Sequence, residues 1–362
     1  MVEVGKIRDK TLVLNGGYIS IFRGGKLVWK KKYMAYLLPD GNSYMYRRRV
    51  RITELSGKTL TNYQIKIVLG AGDPIFAHAR SAGEDIRFCY YPEEEMLSYW
   101  IEKYDPVAEE AIIWVKVPEI PANSEIEIYM YYANQEVPSA SDGVATFEFF
   151  DDFKDASAWV ITGTNPDKIT INEAEGRIEW SNLTKNETTR AYRQVSGIGS
   201  LNRFVIEVDK MKFTSISTYA HSYFATIGNG SDTPDVLDTH IGFSAPYPSD
   251  NLNPRVKIAG TSYSPPAIEG VGWSSYRWIS IVKNDDTVIY HVYTDAERTS
   301  EVADSPKSNA DAALSGADFG DYIFAVSAYD VNQSYSHSGH YYRLKIRKYT
   351  EPEPSVSVGV EE

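Results

Sequence analysis

The chain has 362 residues and a formal net charge of −12, with 43% hydrophobic and 13% aromatic residues, the latter including 27 Tyr and 7 Trp. That length exceeds one ordinary domain, and the acid excess argues against nucleic acid as a partner, because phosphate binding needs a basic stripe. A single cysteine, Cys89, excludes a disulfide framework and a thiolate metal cluster.

Residues 1–43 form a short β segment. Met1–Lys10 is charged and lacks the apolar stretch of a signal peptide, and no later run is long enough to span a bilayer, so membrane insertion is not expected. With no signal peptide visible, a location outside the cell implies another route, such as assembly into a virus particle released by lysis. Thr11–Leu14, Tyr18–Phe22 and Lys26–Trp29 read as small strands separated by Asn15-Gly16-Gly17 and Gly24-Gly25, turns that tolerate positive φ. So small a piece buries little by itself and is expected to dock, as an attachment or oligomerisation segment, on another copy or on other virion or surface proteins.

Residues 44–145 carry six strand candidates: Tyr44–Thr53, Tyr63–Leu69, Asp85–Tyr91, Leu97–Tyr104, Ala111–Val117 and Glu125–Ala133. Short strands with Gly/Pro/Ser punctuation predict an antiparallel β-sandwich. Cys89 reads as a small core residue. The basic clusters Lys30–Lys32 and Arg47–Arg51 read as solvated strand faces or intersubunit ion-pair partners.

A Pro/Ser/Asp/Gly connection over Val137–Gly143 leads into residues 146–362, where about ten strand candidates run from Lys168–Ile171 to Tyr341–Tyr349. That number fits a jelly roll better than an immunoglobulin-size sandwich. Glu351–Glu362, rich in Pro and Glu, is expected to pack loosely or run toward solvent. The fold class is therefore all-β: a short β segment, a sandwich and a jelly roll.

Certain residues resemble a known family. The Arg-rich strand near Arg47, Asn62-Tyr63-Gln64, Gly83-Glu84-Asp85-Ile86-Arg87-Phe88, Tyr99-Trp100-Ile101-Glu102, Ile113-Trp114-Val115-Lys116-Val117-Pro118 and Tyr129-Met130-Tyr131-Tyr132-Ala133-Asn134 are similar to an archaeal-type module, domain of unknown function 2341, over residues 46–133. That module is often followed by a concanavalin A-like lectin/glucanase jelly roll. Phe150-Asp151-Asp152-Phe153 resembles the opening of such a roll, and Arg347-Lys348-Tyr349 followed by Pro-Glu-Pro its close, over residues 147–356. The resemblance implies a fold and a surface-associated, glycan-related setting, without a reaction.

Retaining glucanases of that fold carry Glu-x-Asp-x-x-Glu on one strand, which sets a nucleophile and an acid across the scissile bond. Here Glu207 and Asp209 share the face opposite Phe204, Ile206 and Val208, but the third acidic position is Lys212. Without that carboxylate the acid/base is missing. The strand reads as ion-paired or solvated, with cleavage at Glu207/Asp209 as the alternative. No Gly-x-Ser-x-Gly elbow occurs, and His337-Ser338-Gly339-His340 reads as a loop without a clear third zinc ligand.

Clustered oxygens at Asp151 and Asp152, and at Asp232, Asp235 and Asp238, are candidate structural Ca2+ ligands, against their ordinary use as turn formers. Sugar rings stack on aromatics and hydrogen-bond to amides and acids. Tyr219, Tyr223, Tyr247, Asp250, Tyr263, Trp273, Asn332 and Gln333 carry that mixture in loop-like segments. The leading reading is a non-enzymatic, surface-exposed structural or adhesion protein. It would bind a glycan or cell-surface receptor through its jelly roll and work as a homo-oligomer in a virion (tail, fibre or decoration) or on a cell surface. The alternatives are a glycoside hydrolase and a purely structural shell protein without a ligand.

Overall fold

The computed structural model describes residues 2–7, 10–15, 18–32, 36–90, 95–184, 187–217, 222–246, 250–328 and 335–362. All named strand pairs are antiparallel, and the two α-helices, Ile75–His78 and Gly143–Thr146, are single turns. The chain divides into two compact units, one of residues 1–146 with 352–362 and one of residues 147–351.

The first unit opens with a four-stranded meander of Val2–Ile7, Lys10–Asn15, Tyr18–Arg23 and Lys26–Lys32. Gly24 and Gly25 turn its last hairpin with φ of +55° and +78°, the conformation a two-residue hairpin loop demands. The sandwich follows. Its five-stranded sheet runs Glu95–Met96, Arg87–Tyr90, Glu125–Tyr132, Tyr46–Thr53, Ser355–Glu361, and its three-stranded sheet runs Tyr99–Asp105, Glu110–Ile120, Leu60–Leu69. Period-2 alternation sends Val50, Ile52, Ile65, Ile67, Ile113, Val115, Ile128 and Met130 into the core between them.

Glu351–Glu362, expected to pack loosely or run toward solvent at the end of the jelly roll, instead belongs from residue 352 onward to the first unit and completes the sandwich. Ser355–Glu361 pairs with Tyr46–Thr53, and Val356 and Val358 pack on the sandwich core. The expected edge of the N-terminal segment at residue 43 is likewise crossed. Tyr36–Leu37 and Ser43–Tyr44 form a hairpin, and Leu38 and Tyr44 join Cys89, Tyr129, Tyr131 and Val137 in a small core on the sheet's other face. Cys89 is buried there, with its sulfur 3.7 Å from that of Met96.

The arginine strand finds partners within its own sheet. Arg47 lies 4.4 Å over the Tyr129 ring, and Arg51 and Arg49 meet Glu127 at 3.0 and 3.3 Å. The Gly83–Phe88 motif is a structural knot. Buried Asp85 accepts from the amides of Arg80, Ala133 and Asn134, at 2.8, 2.7 and 3.0 Å, and Tyr99 donates to the Ile86 carbonyl.

The second unit is a jelly-roll sandwich of a nine-stranded and a seven-stranded sheet. Its core includes Phe149, Phe153, Trp159, Trp180, Phe204, Ile206, Val208, Phe213, Phe224, Phe243 and Tyr290. The nine-stranded sheet is organised by the long strand Arg203–Ile216. On one side it pairs with Arg277–Asn284, and on the other with Arg343–Lys348 and then Ser336–Tyr341. Those last two strands diverge at Tyr342: Ser336–Tyr341 goes on to pair with Arg177–Thr184, and Arg343–Lys348 with Phe149–Asp151.

Candidate functional site

Alternation along Arg203–Ile216 places Phe204, Ile206 and Val208 in the core and turns Glu207 and Asp209 to the outer face of the nine-stranded sheet. The neighbouring strand Arg343-Leu344-Lys345-Ile346-Arg347-Lys348 alternates in step, with Leu344 and Ile346 inward, and register pairs Glu207 with Lys345 and Asp209 with Arg343. The result is a buried ion lattice. Lys345 Nζ lies 2.9 Å from Glu207, Arg347 Nε 3.2 Å from Glu207, and Arg343 Nε 2.8 Å from Asp209. Arg298, from the segment after Thr287–Tyr293, closes it with an ion pair to Asp209 and a longer one, 3.7 Å, to Glu207. Burial alone would raise the Glu207 carboxyl, but Lys345, Arg298 and Arg347 outweigh it and hold the group well below the usual carboxylate range. Asp209 is held down in the same way, with Arg298 the foremost cation. A carboxyl so fixed in its ionised form is poorly suited to serve as a general acid.

Lys212 stands where the glucanase pattern has its third acid. The strand bulges between Val208 and Met211, Lys210 takes a φ of +56° at the bulge, and Lys212 then pairs with His340 in register. Bulges re-aim side chains. Here the Lys210 ammonium comes to rest 4.5 Å from the Tyr342 ring centroid and 5.3 Å from that of Tyr276, with Lys212 5.5 Å from Tyr276.

These residues belong to a surface that local sequence reasoning did not find. Tyr276, Tyr342 and His340 form a three-ring cluster with centroid separations of 6.2, 5.8 and 5.8 Å. Arg177 donates to the Tyr342 hydroxyl at 3.0 Å and is itself paired with Glu179 at 2.7 Å. Beside the cluster lies an open groove of about 440 Å³, lined by Asp152, Lys154, Glu175, Asp209, Trp278 and Tyr342 among others. Beneath it Gly339 is required by close approach, since a Cβ there would stand 2.5 Å from the Lys212 carbonyl oxygen and 2.6 Å from the Trp180 ring.

His337-Ser338-Gly339-His340 is a strand, not a loop. Residues three apart on a strand face opposite ways, so His337 enters the core while His340 stays on the surface. The Trp180 indole N–H donates to His337 Nδ1 at 2.8 Å, which leaves Nε2–H to donate to Ser222 Oγ at 2.8 Å. Burial pushes that imidazole down to about 3.

Of the expected sugar contacts, Trp273 and Tyr223 are corrected. Trp273 is fully buried in the core, and Tyr223 is buried with His240 edge-on at 5.7 Å and Arg255 over its ring. Neither presents a face to a ligand. The Asp250 carboxylate accepts from the amides of Gly272 and Trp273, at 2.9 and 3.1 Å, and so braces that turn. Tyr263 is partly buried against the core. Tyr219, Tyr247, Asn332 and Gln333 lie outside the described residues.

The expected calcium ligands do not converge. Asp151 is buried, and its oxygens accept from the Phe153 amide, the Trp159 indole and Arg193, at 2.7, 3.0 and 3.2 Å. Asp152 faces the groove near Lys154. Asp232 and Asp238 are exposed, with Asp232 3.4 Å from Arg190, and Asp235 is half-buried. Among the described residues no three His, Cys, Asp or Glu side chains gather as a metal would need.

Residues 82–162 match a family described as Domain of unknown function (DUF2341). The matched stretch holds Gly83–Phe88, Tyr99–Glu102, Ile113–Pro118, Tyr129–Asn134 and Phe150–Phe153, and it begins after the arginine strand with which the expected resemblance opened. No curated protein matches the sequence. Among solved structures, similarity extends to the exoplasmic/lumenal domain of VIP36 in its Ca2+/Man2-bound form, at 11% identity over 58% of this chain and 96% of that one, TM-score 0.39. A protein of unknown function with a galectin-like fold from Bacillus subtilis is similar at 10% identity over 55% and 94%, TM-score 0.38. The GH43 protein BlXynB from Bacillus licheniformis is similar at 10% identity over 93% and 85%, TM-score 0.40. No helix among the described residues is long and apolar enough to cross a membrane.

Proposed function

We propose that the protein is a non-enzymatic, surface-exposed adhesion or structural protein that binds a glycan on the outer face of the nine-stranded sheet of its jelly roll. The observation that carries this reading is the part-exposed ring cluster of Tyr276, Tyr342 and His340 beside a groove lined by Trp278, Asp152 and Glu175. Aromatic faces take the C–H face of a sugar, and carboxylates and a phenol nearby take its hydroxyls. Display on a virion or cell surface, in multiple copies, would add avidity to a weak single site.

A hydrolytic reading draws on one observation, that Asp209 lines the same groove. The cations bound to both acids weigh against it, because a retaining mechanism needs one carboxyl that cycles its proton. The test is a glycan array with the full chain and with Tyr342→Ala, alongside a reducing-sugar assay on the bound polysaccharides. Binding that Tyr342→Ala abolishes, with no release of reducing ends, is expected. Release of reducing ends that Glu207→Gln eliminates would refute the non-enzymatic reading.

A further inference from the structure

The groove and ring cluster hold two positive charges that no described acid neutralises. Lys210 and Lys212 form no ion pair among the described residues, and the contacts their ammonium groups make are with the faces of Tyr276 and Tyr342. On the same sheet Arg343, Lys345, Arg347 and Arg298 are matched to Glu207 and Asp209, and Arg177 to Glu179.

The backbone is bent to bring them there. Lys210 occupies the left-handed region at φ +56°, which costs a non-glycine residue on the order of 1 kcal/mol and recurs where a side chain is held for use. The bulge interrupts the strict alternation of the strand. Both lysines therefore reach the Tyr276 ring, and Lys210 the Tyr342 ring as well, although Met211 between them points into the core. Cation–π contact also orients an ammonium group while leaving its outward N–H donors available.

We propose that this patch binds the acid groups of an anionic polysaccharide. A sugar ring lies against Tyr276 and Tyr342, and its carboxylate or sulfate bridges the Lys210 and Lys212 ammonium groups. The Arg177–Tyr342 hydrogen bond fixes the phenol that forms the floor of the site. The proposal rests on the glycan-binding reading above and narrows it to one ligand class.

The test is equilibrium binding of the full chain to four probes: polygalacturonate, dextran sulfate, dextran and a single-stranded oligodeoxynucleotide. Each is measured against wild type, Lys210→Gln/Lys212→Gln and Tyr276→Ala/Tyr342→Ala. Thermal unfolding verifies that the variants are folded, which is expected because Lys210 is exposed and Lys212 half-buried. Polygalacturonate or dextran sulfate should bind at least about tenfold more tightly than dextran, with the lysine variant losing roughly that factor and the tyrosine variant losing binding to both. The preferred probe then says whether carboxylate or sulfate is the favoured acid. Equal binding of dextran and the acidic polymers, indifferent to the lysines, would overturn the proposal and leave the glycan-binding reading standing. Failure of every polysaccharide would overturn both. Tighter binding of the oligonucleotide, lost in the same variants, would assign the patch to nucleic acid instead.

Discussion

Glu207→Gln separates a structural acid from a catalytic one through stability alone. The substitution keeps the shape of the side chain but removes one of two carboxylates shared by Lys345, Arg347, Arg298 and Arg343. Lys345 is fully buried 2.9 Å from the lost charge, and Arg347 is buried at 3.2 Å, so neither gains water in exchange. Breaking a buried pair from one side costs about 3–5 kcal/mol. A pair 3 Å apart at an effective dielectric near 20 gives on the order of 5 kcal/mol, in agreement. For a unit spanning residues 147–351, that corresponds to a fall in Tm of roughly 6–20 °C, at about 2–4 °C per kcal/mol. Differential scanning calorimetry with urea melts would measure it. Because the native carboxyl is held below its unfolded value, the deficit should be full above about pH 4.3 and shrink as pH falls through the native value. A variant as stable as wild type at pH 7 would refute the ion-lattice account, since a residue poised for catalysis commonly stabilises the fold when replaced.

Four further outcomes follow from the same structure. His337 and His240, both buried and lowered to about 3, bind fewer protons folded than unfolded between about pH 3 and 6.5. Stability should therefore be full above pH 6.5 and fall by roughly 1.4 kcal/mol per pH unit per histidine below it; a flat Tm from pH 7.5 to 5 would contradict their burial as neutral rings. Trp273→Ala should cost about 3–5 kcal/mol in a urea melt, whereas Tyr342→Ala should leave stability within about 1 kcal/mol and act on ligand binding. Gly339→Ala should destabilise by about 1–3 kcal/mol, because its Cβ meets backbone and an indole that have no room to move; an unchanged melt would show that the strand relaxes there. Removing residues 352–362 should expose the amides of Tyr46–Thr53 to hydrogen exchange and strip the Tyr132 hydroxyl of its 2.6 Å partner Glu361, while protection in residues 147–351 persists.

The architecture was largely legible because period-2 alternation and Gly/Pro punctuation act locally. Phe204, Ile206 and Val208 against Glu207 and Asp209 could be assigned to faces from the strand alone. The counter-ions could not, since Lys345 and Arg347 lie on a strand more than a hundred residues later and become neighbours only through register. Ser355–Glu361 carried a readable signal, valines at every second position, that the surrounding Pro and Glu obscured. Gly339 makes His337–His340 look like a loop in sequence, whereas its lack of a side chain admits Trp180 to the strand. Trp273 and Tyr223 show the limit of composition: an aromatic among polar loop residues is free to face either way, and here both face in. The ring cluster of Tyr276, His340 and Tyr342 with Lys210 gives no local signal, as three segments distant in sequence, around residues 210, 276 and 340–342, assemble it.

The first unit is written in two pieces, with the whole of the second between them. On the ribosome, Tyr46–Thr53 emerges early and waits with one edge unsatisfied until Ser355–Glu361 has been made, some three hundred residues later. The jelly roll, continuous in sequence, is free to fold in that interval. Synthesis at about 5–20 residues per second sets the delay at tens of seconds. During that time the open edge presents unpaired amides and carbonyls to a neighbouring copy.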